Sequence, residues 1–251
     1  MDPHFSDYCS PVPSRAFLRR SCPGLCVEQL PPIDAVLISH CHYDHLDRKS
    51  LTSIQRRQGR AGDLALICPS GLKPLLHRWG LQPITEMSWG EAGDFHRARG
   101  SCGSDCDPVR ITCLPAQHGA ARTPFDANKT LWCGWLLEYR ERKVAFLGDS
   151  GYAHFFADLG ERFGPLDLAF IPIGAYKPRW LMQPLHMNPE DAICVHRELR
   201  SKRSISMHWG TFALADDPLS EPPQLMRAAR SAAGLTEDDF SVLRIGETVL
   251  A

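Results

Sequence analysis

Residues 39–47 read SHCHYDHLD and place His40, His42, Asp44, His45 and Asp47 within nine positions. His40 and His42 are two apart, so on an extended backbone both project to one side. Asp44 and His45 follow in the loop that leads to the next helix. Four imidazole or carboxylate donors in six residues point to two adjacent metal ions, because a single tetrahedral site is rarely filled from so short a segment. Two cations about 3.5 to 4 Å apart would acidify a shared water and clamp the oxygens of an in-line displacement.

The remaining donors must come from other segments. His118 closes VRITCLPAQH, Asp149 closes VAFLGD, and His208 lies inside SISMHWG. Each stands at or near the C-terminal end of a predicted strand, where loops from separate strands converge on one cleft. Asp149 is suited to bridging two ions, since an ionised carboxylate has two oxygens to share. Neutral imidazoles with carboxylates suit zinc, with iron and manganese as alternatives. His4, His77, His96, His154 and His196 have no such setting and read as surface or packing residues.

The elements that must position these donors follow from pattern. After a Pro-rich opening over residues 1–32, strands are predicted at 33–39, 64–69, 109–117, 131–139, 143–148, 166–174, 204–209 and 240–245. Helices are predicted at 48–58, 71–79, 152–162, 189–200 and 221–234. Asn188 ahead of Pro189, Glu190 and Asp191 is a helix start signal, with a cap side chain, proline at the first helical position and acids in the first turn. YRERK, residues 139–143, links two strands closely enough for a hairpin. These counts imply an α/β domain with helices outside the sheets, spanning residues 1–251.

Composition narrows the function classes. With 251 residues, 43% hydrophobic and 23% charged, the chain can bury a sizeable core. The net charge of -1, with no Lys/Arg run, argues against nucleic acid as a partner. No apolar run reaches the ~18 residues of a membrane span, and the N-terminus carries no signal pattern, so an intracellular chain is expected, in the cytoplasm or peripheral to a membrane. The ten cysteines are scattered through apolar strands, which predicts buried thiols. Cys102 and Cys106 alone are close enough to bridge or bind metal, in a Gly- and Asp-rich setting that equally fits a surface loop.

The H-x-H-x-D-H pattern with its three partners resembles the metallo-β-lactamase superfamily. A closer resemblance runs along nearly the whole chain: DPHFS, LPPIDAVLISHCHYDHLD, NKTLWCGW, FLGDSGY, RFGPLDLAFIPIGAYKPRW, NPEDA and MHWGTFALADDPLSEPP. These segments are similar to the N-acyl-phosphatidylethanolamine-hydrolysing phospholipase D family. The resemblance implies an αββα sandwich with His40, His42 and His118 on one metal, Asp44, His45 and His208 on the other, and Asp149 bridging. It further implies hydrolysis of N-acyl-phosphatidylethanolamine to N-acylethanolamine and phosphatidic acid, a phospholipid partner met at a membrane surface, and a homodimer by analogy.

By the same resemblance Asp44, Asp149 and His186 form the catalytic set, with His186 positioning the phosphate or assisting the leaving group. Tyr176, Arg179 and Trp180 are expected to line the cleft, with Arg179 on phosphate or in a salt bridge. Three departures accompany the match. The family extends further ahead of the Asp-Pro that is here Asp2-Pro3, so the first sheet is expected to lack some N-terminal strands. Leu185 stands where the family generally has a polar residue, and Gly119 where tryptophan is common. Two other readings stay open: a dinuclear hydrolase of another ester, such as a sugar-phosphate lactone, and a shortened metal-binding homologue with little turnover.

Overall fold

The computed structural model describes residues 1–58, 64–96 and 107–250. Three strands, β1 (Ala35–Leu37), β2 (Ala65–Pro69) and β3 (Ile84–Met87), form a parallel sheet in that order. The second sheet has seven strands: β4 (Ala92–Phe95), β5 (Val109–Leu114), β6 (Gly134–Tyr139), β7 (Arg142–Phe146), β8 (Leu168–Pro172), β9 (Ser204–Met207) and β10 (Phe240–Ser241). Its neighbours run in sequence order, antiparallel from β4 to β7 and parallel from β7 to β10. The helices are α1 (Arg48–Gln58), α2 (Lys73–Arg78), α3 (Phe155–Phe163), α4 (Arg179–Met182), α5 (Pro189–Glu198) and α6 (Glu221–Ala232).

Three apolar clusters explain the layering. Val36, Leu66 and Cys68 of the small sheet pack with Leu51, Ile54 and Leu76 of α1 and α2. Leu37, Ile67 and Met87, which alternate with them, turn to the other face and meet Ile111, Cys113 and Trp135 of the large sheet. On the far side of that sheet Leu136, Ala145, Ala169 and Ile171 pack against Phe156, Val195 and Met226 of α3, α5 and α6. Strands buried on both faces read as continuous apolar runs, as IDAVLI and LALICP do. The order helix, sheet, sheet, helix is the expected sandwich. Trp135, fully buried, also donates its indole N–H to the Ile38 carbonyl at 3.1 Å and so ties the large sheet to the end of β1.

Local signals account for several boundaries. Asn188 accepts from the Asp191 backbone N–H, and Asp191 answers toward the Asn188 N–H, the reciprocal cap predicted for α5. The hairpin between β6 and β7 closes where Tyr139 pairs with Arg142, with Arg140 at φ 52°. Strands β3 and β4 were not predicted. Ala92–Phe95 is an exposed edge containing Gly93 and Asp94, poor strand formers, and it is held by register pairing with β5. Helix α4 is a single turn and likewise has no periodicity to detect.

Among the described residues no helix is long and apolar enough to cross a membrane. Cys41, Cys68, Cys113 and Cys133 are buried free thiols, while Cys194 is exposed. Cys102 and Cys106 lie outside the described residues.

Candidate metal centre

Four strand ends deliver the donors. Residues 40–45 follow β1 in a turn held by the His45 and Leu46 N–H groups on the His42 carbonyl. Asp47 then caps α1 by accepting from the Ser50 N–H at 3.1 Å. His118 follows β5, Asp149 follows β7, and His208 follows β9. Two glycines permit the convergence. Gly148 has φ +63°, and a Cβ there would stand 2.8 Å from both the Cys133 carbonyl and Ser39 Cβ. A Cβ on Gly174 would lie 2.2 Å from the His208 carbonyl oxygen. His208 itself holds φ 58°, a left-handed conformation uncommon outside glycine.

The structure brings all seven predicted donors together in two groups. His40, His42 and His118 form the first, and Asp44, His45, Asp149 and His208 the second, with the donor atoms of each group within 4.8 Å of one another. In the first, His42 Nδ1 lies 2.8 Å from His40 Nε2 and 3.1 Å from His118 Nε2. In the second, His45 Nε2 lies 3.1 Å from Asp44 Oδ2 and 3.2 Å from Asp149 Oδ2. His208 Nε2 is 3.2 Å from Asp44 Oδ2 and 3.3 Å from Asp149 Oδ1. Asp149 Oδ2 also stands 3.7 Å from His118 Nε2 and 3.9 Å from His40 Nε2, so its carboxylate lies between the groups.

The protons decide what this arrangement can hold. The Ser39 hydroxyl gives its one proton to Asp2 Oδ2 at 2.5 Å, so Ser39 Oγ accepts from His40 Nδ1 at 2.9 Å. A neutral imidazole carries one N–H, which leaves His40 Nε2 a bare lone pair. His118 Nδ1 faces the Leu185 carbonyl at 2.9 Å and must donate to it, leaving His118 Nε2 bare as well. Both lone pairs face His42 Nδ1, which has at most one proton to give. His45 Nδ1 donates to Asp2 Oδ2 at 2.8 Å, which turns its Nε2 onto two carboxylates. Among the described residues His45 Nε2 and Asp149 Oδ1 are buried with no hydrogen-bond partner. Converging lone pairs and carboxylates with too few protons fit divalent cations.

Acidities follow the same charges. Burial, first, lowers His40, His42 and His118, with His42 brought to about 4. These rings are neutral and able to ligate. For His45 burial acts downward too, yet the Asp149 and Asp44 carboxylates outweigh it and hold the ring well above the usual imidazole range. Asp149 is held well below the usual carboxylate range: burial opposes, and the His208 and His45 rings prevail. A proton on His45 thus occupies the charge that a metal would supply.

The other predicted residues fall as follows. His186 is buried beside the centre, with Nδ1 3.9 Å from Asp149 Oδ2 and its ring stacked on His208 at 5.5 Å. Burial brings it down to about 3. Arg179 forms the salt bridge expected as one of its two roles, 2.8 Å from Asp191, and donates to the His186 carbonyl at 3.1 Å. Tyr176 is buried with its hydroxyl donating to Glu221 at 2.6 Å, so its polar atom is already engaged. Trp180 is 81% exposed. Leu185 takes part through its carbonyl on His118. Asp44, set with Asp149 and His186 as catalytic, sits in the second group. His196 packs on Phe240 and bonds Ser204, while His77, His96 and His154 are exposed. His4 is partly buried against Arg19 and Phe212.

Asp2 was missed as a site residue. It accepts from Ser39 N at 2.7 Å and orients both His40, through Ser39, and His45. Its only signal in the sequence is the DPHFS segment at the start of the chain, which carries the family resemblance but no chemistry of its own.

A dinuclear donor set at the strand ends of an αββα sandwich defines the metal-dependent hydrolases of the β-lactamase superfamily, and the profile of the β-lactamase superfamily domain matches residues 2–209. Within it the chain belongs to the N-acyl-phosphatidylethanolamine-hydrolysing phospholipase D family. It is 34% identical over 98% of its length to N-acyl-phosphatidylethanolamine-hydrolyzing phospholipase D 1 of Caenorhabditis elegans, of which it spans 68%. It is 31% identical over 84% of its length to the mitochondrial enzyme of the same description from Saccharomyces cerevisiae, of which it spans 43%. Among solved structures, a possible metal-dependent hydrolase from Veillonella parvula shares the fold with TM-score 0.73 at 18% identity, over 99% of this chain and 90% of that one.

Proposed function

We propose that this chain is a dinuclear, zinc-dependent phosphodiesterase that hydrolyses N-acyl-phosphatidylethanolamine to N-acylethanolamine and phosphatidic acid. The reading of the reaction rests on one observation: the bare His40 and His118 lone pairs beside the Asp149 carboxylate, whose two oxygens face both donor groups. Divalent ions held there would supply Lewis acidity to a phosphoryl oxygen and would acidify water. Asp149 would hold both ions, and Asp2 would keep His40 and His45 in their ligating tautomers. His186, neutral and within 3.9 Å of Asp149, orients the phosphate or carries a proton to the leaving oxygen.

The substrate reading is supported by the nematode and yeast relatives. A cavity of about 290 Å3 reaches Asp44, His45 and His208 and is walled by Phe146, Phe212 and Leu214, which offers apolar room. Trp180 and Leu181, on the turn whose Arg179 holds the His186 carbonyl, are 81% and 51% exposed and suit contact with a lipid surface. The test is to give metal-loaded protein an N-acyl-phosphatidylethanolamine beside a sugar-phosphate lactone and to identify products by mass. N-acylethanolamine with phosphatidic acid is expected. Lactone opening with intact phospholipid contradicts the proposal.

A further inference from the structure

Arg122 lies in the loop that begins at His118, yet its side chain reaches a different segment. One nitrogen, Nη1, donates to the Cys41 carbonyl at 2.6 Å and to the Leu46 carbonyl at 3.0 Å. Those carbonyls stand at the two ends of the turn that carries His42, Asp44 and His45. The guanidinium carbon lies 3.8 Å from the centroid of the Tyr43 ring and 5.3 Å from that of Trp79, so the planar group is stacked as well as bonded. Among the described residues no carboxylate stands within ion-pair distance of it, an unusual setting for a largely buried cation.

The loop is built to hold this arginine still. Asp126 Oδ1 accepts from the N–H groups of Arg122 and Thr123 at 2.9 and 2.8 Å. Asn128 closes the loop from the other side, its N–H on the Ala120 carbonyl at 2.6 Å and its side chain accepting from the Ala120 N–H at 3.0 Å. A rigid loop therefore presents a donor ligand at one end and a clamp on three further ligands four residues later.

We infer that Arg122 is a positioning residue of the metal centre, which sets the spacing between His118 and the donors His42, Asp44 and His45 by tying both ends of the 41–46 turn to the His118 loop. The inference rests on the metal centre of the proposed function and is independent of the lipid substrate. Lysine could keep the charge and one donor but neither the stack nor the fixed plane.

The test is a zinc affinity measured by chelator competition, with thermal melting as the measure of fold. Arg122→Met is expected to bind zinc about 10- to 100-fold more weakly, as for loss of other groups that orient ligands, and Arg122→Lys to recover part of the loss. Arg200 is the control, since its guanidinium also holds backbone carbonyls, those of Gly160 and Glu161, and touches none of the ligands. Arg200→Met is expected to melt earlier while binding zinc as the unaltered chain does. Unaltered zinc affinity in Arg122→Met, or an equal loss in Arg200→Met, overturns the inference alone. An unaltered chain that binds no zinc overturns both the inference and the centre beneath it. Should Arg122→Met not fold, Arg122→Lys decides: weakened affinity with an intact fold supports the role, and full affinity overturns it.

Discussion

Asp2 Oδ2 lies 2.8 Å from His45 Nδ1 and 2.5 Å from the Ser39 hydroxyl, whose oxygen in turn faces His40 Nδ1. One carboxylate thereby orients a ring in each donor group and directs both Nε2 atoms inward. Replacing Asp2 by alanine frees both rings to turn or to exchange tautomers. Metal affinity is expected to fall about 10- to 100-fold, read by chelator competition, with both sheets retained by circular dichroism. Unchanged affinity would show that the rings are oriented by packing alone.

His186 Nδ1 lies 3.9 Å from Asp149 Oδ2 without belonging to either of the two groups formed by the seven predicted donors, although it forms a third cluster with His118 and Asp149. His186→Ala is expected to lower turnover by about 10²- to 10⁴-fold, the range for a positioned proton-transfer group, with metal content unchanged. Loss of one metal equivalent would make His186 a ligand instead.

Trp135 is wholly buried between the sheets and bonds the Ile38 carbonyl two residues before His40. Trp135→Ala should cost about 3 to 5 kcal/mol of stability and loosen the end of β1. Urea unfolding measures the first effect and metal affinity the second. A midpoint close to that of the unaltered chain would contradict this role for the indole.

His196 offers a stability prediction away from the centre. Burial against Phe240 holds this imidazole below its usual range; Asp239 opposes and Arg197 adds to the lowering, while Nδ1 pairs with Ser204. The unfolded chain therefore takes up a proton near pH 6.5 before the folded chain does. Its stabilising share is full above that pH and is lost as pH falls toward the lowered folded value. Urea midpoints for the unaltered chain and His196→Gln should converge between about pH 7.5 and about pH 5.5. A gap that stays constant would show that the ring does not titrate differently in the two states.

The centre was legible in the chain to the extent that its chemistry is local. His40 to His45 form an improbable polar cluster behind an apolar strand, and His118, Asp149 and His208 each end a strand run, so strand patterns alone located them. Asp2 and Arg122 were not legible, because each acts through contacts dozens of positions away and nothing in their own neighbourhoods marks them. The α/β class with helices outside the sheets followed from apolar runs such as IDAVLI, and the sandwich itself from the family resemblance. Strand β4 did not, since Gly93 and Asp94 are strand residues only by virtue of Ile111 and Arg110 opposite them. Arg179 shows the same limit, for the sequence allowed both phosphate and a salt bridge, and only packing brings Asp191 to 2.8 Å.

Asp149 carries the central claim, because its two oxygens face both donor groups at 3.2 to 3.9 Å. The most direct measurement is elemental analysis of the purified chain and of Asp149→Asn, paired with phosphodiester hydrolysis. The account predicts about two divalent ions per chain, a marked loss of metal in the variant and abolished hydrolysis. A chain without metal, or an Asp149→Asn variant with full metal and full activity, would contradict it.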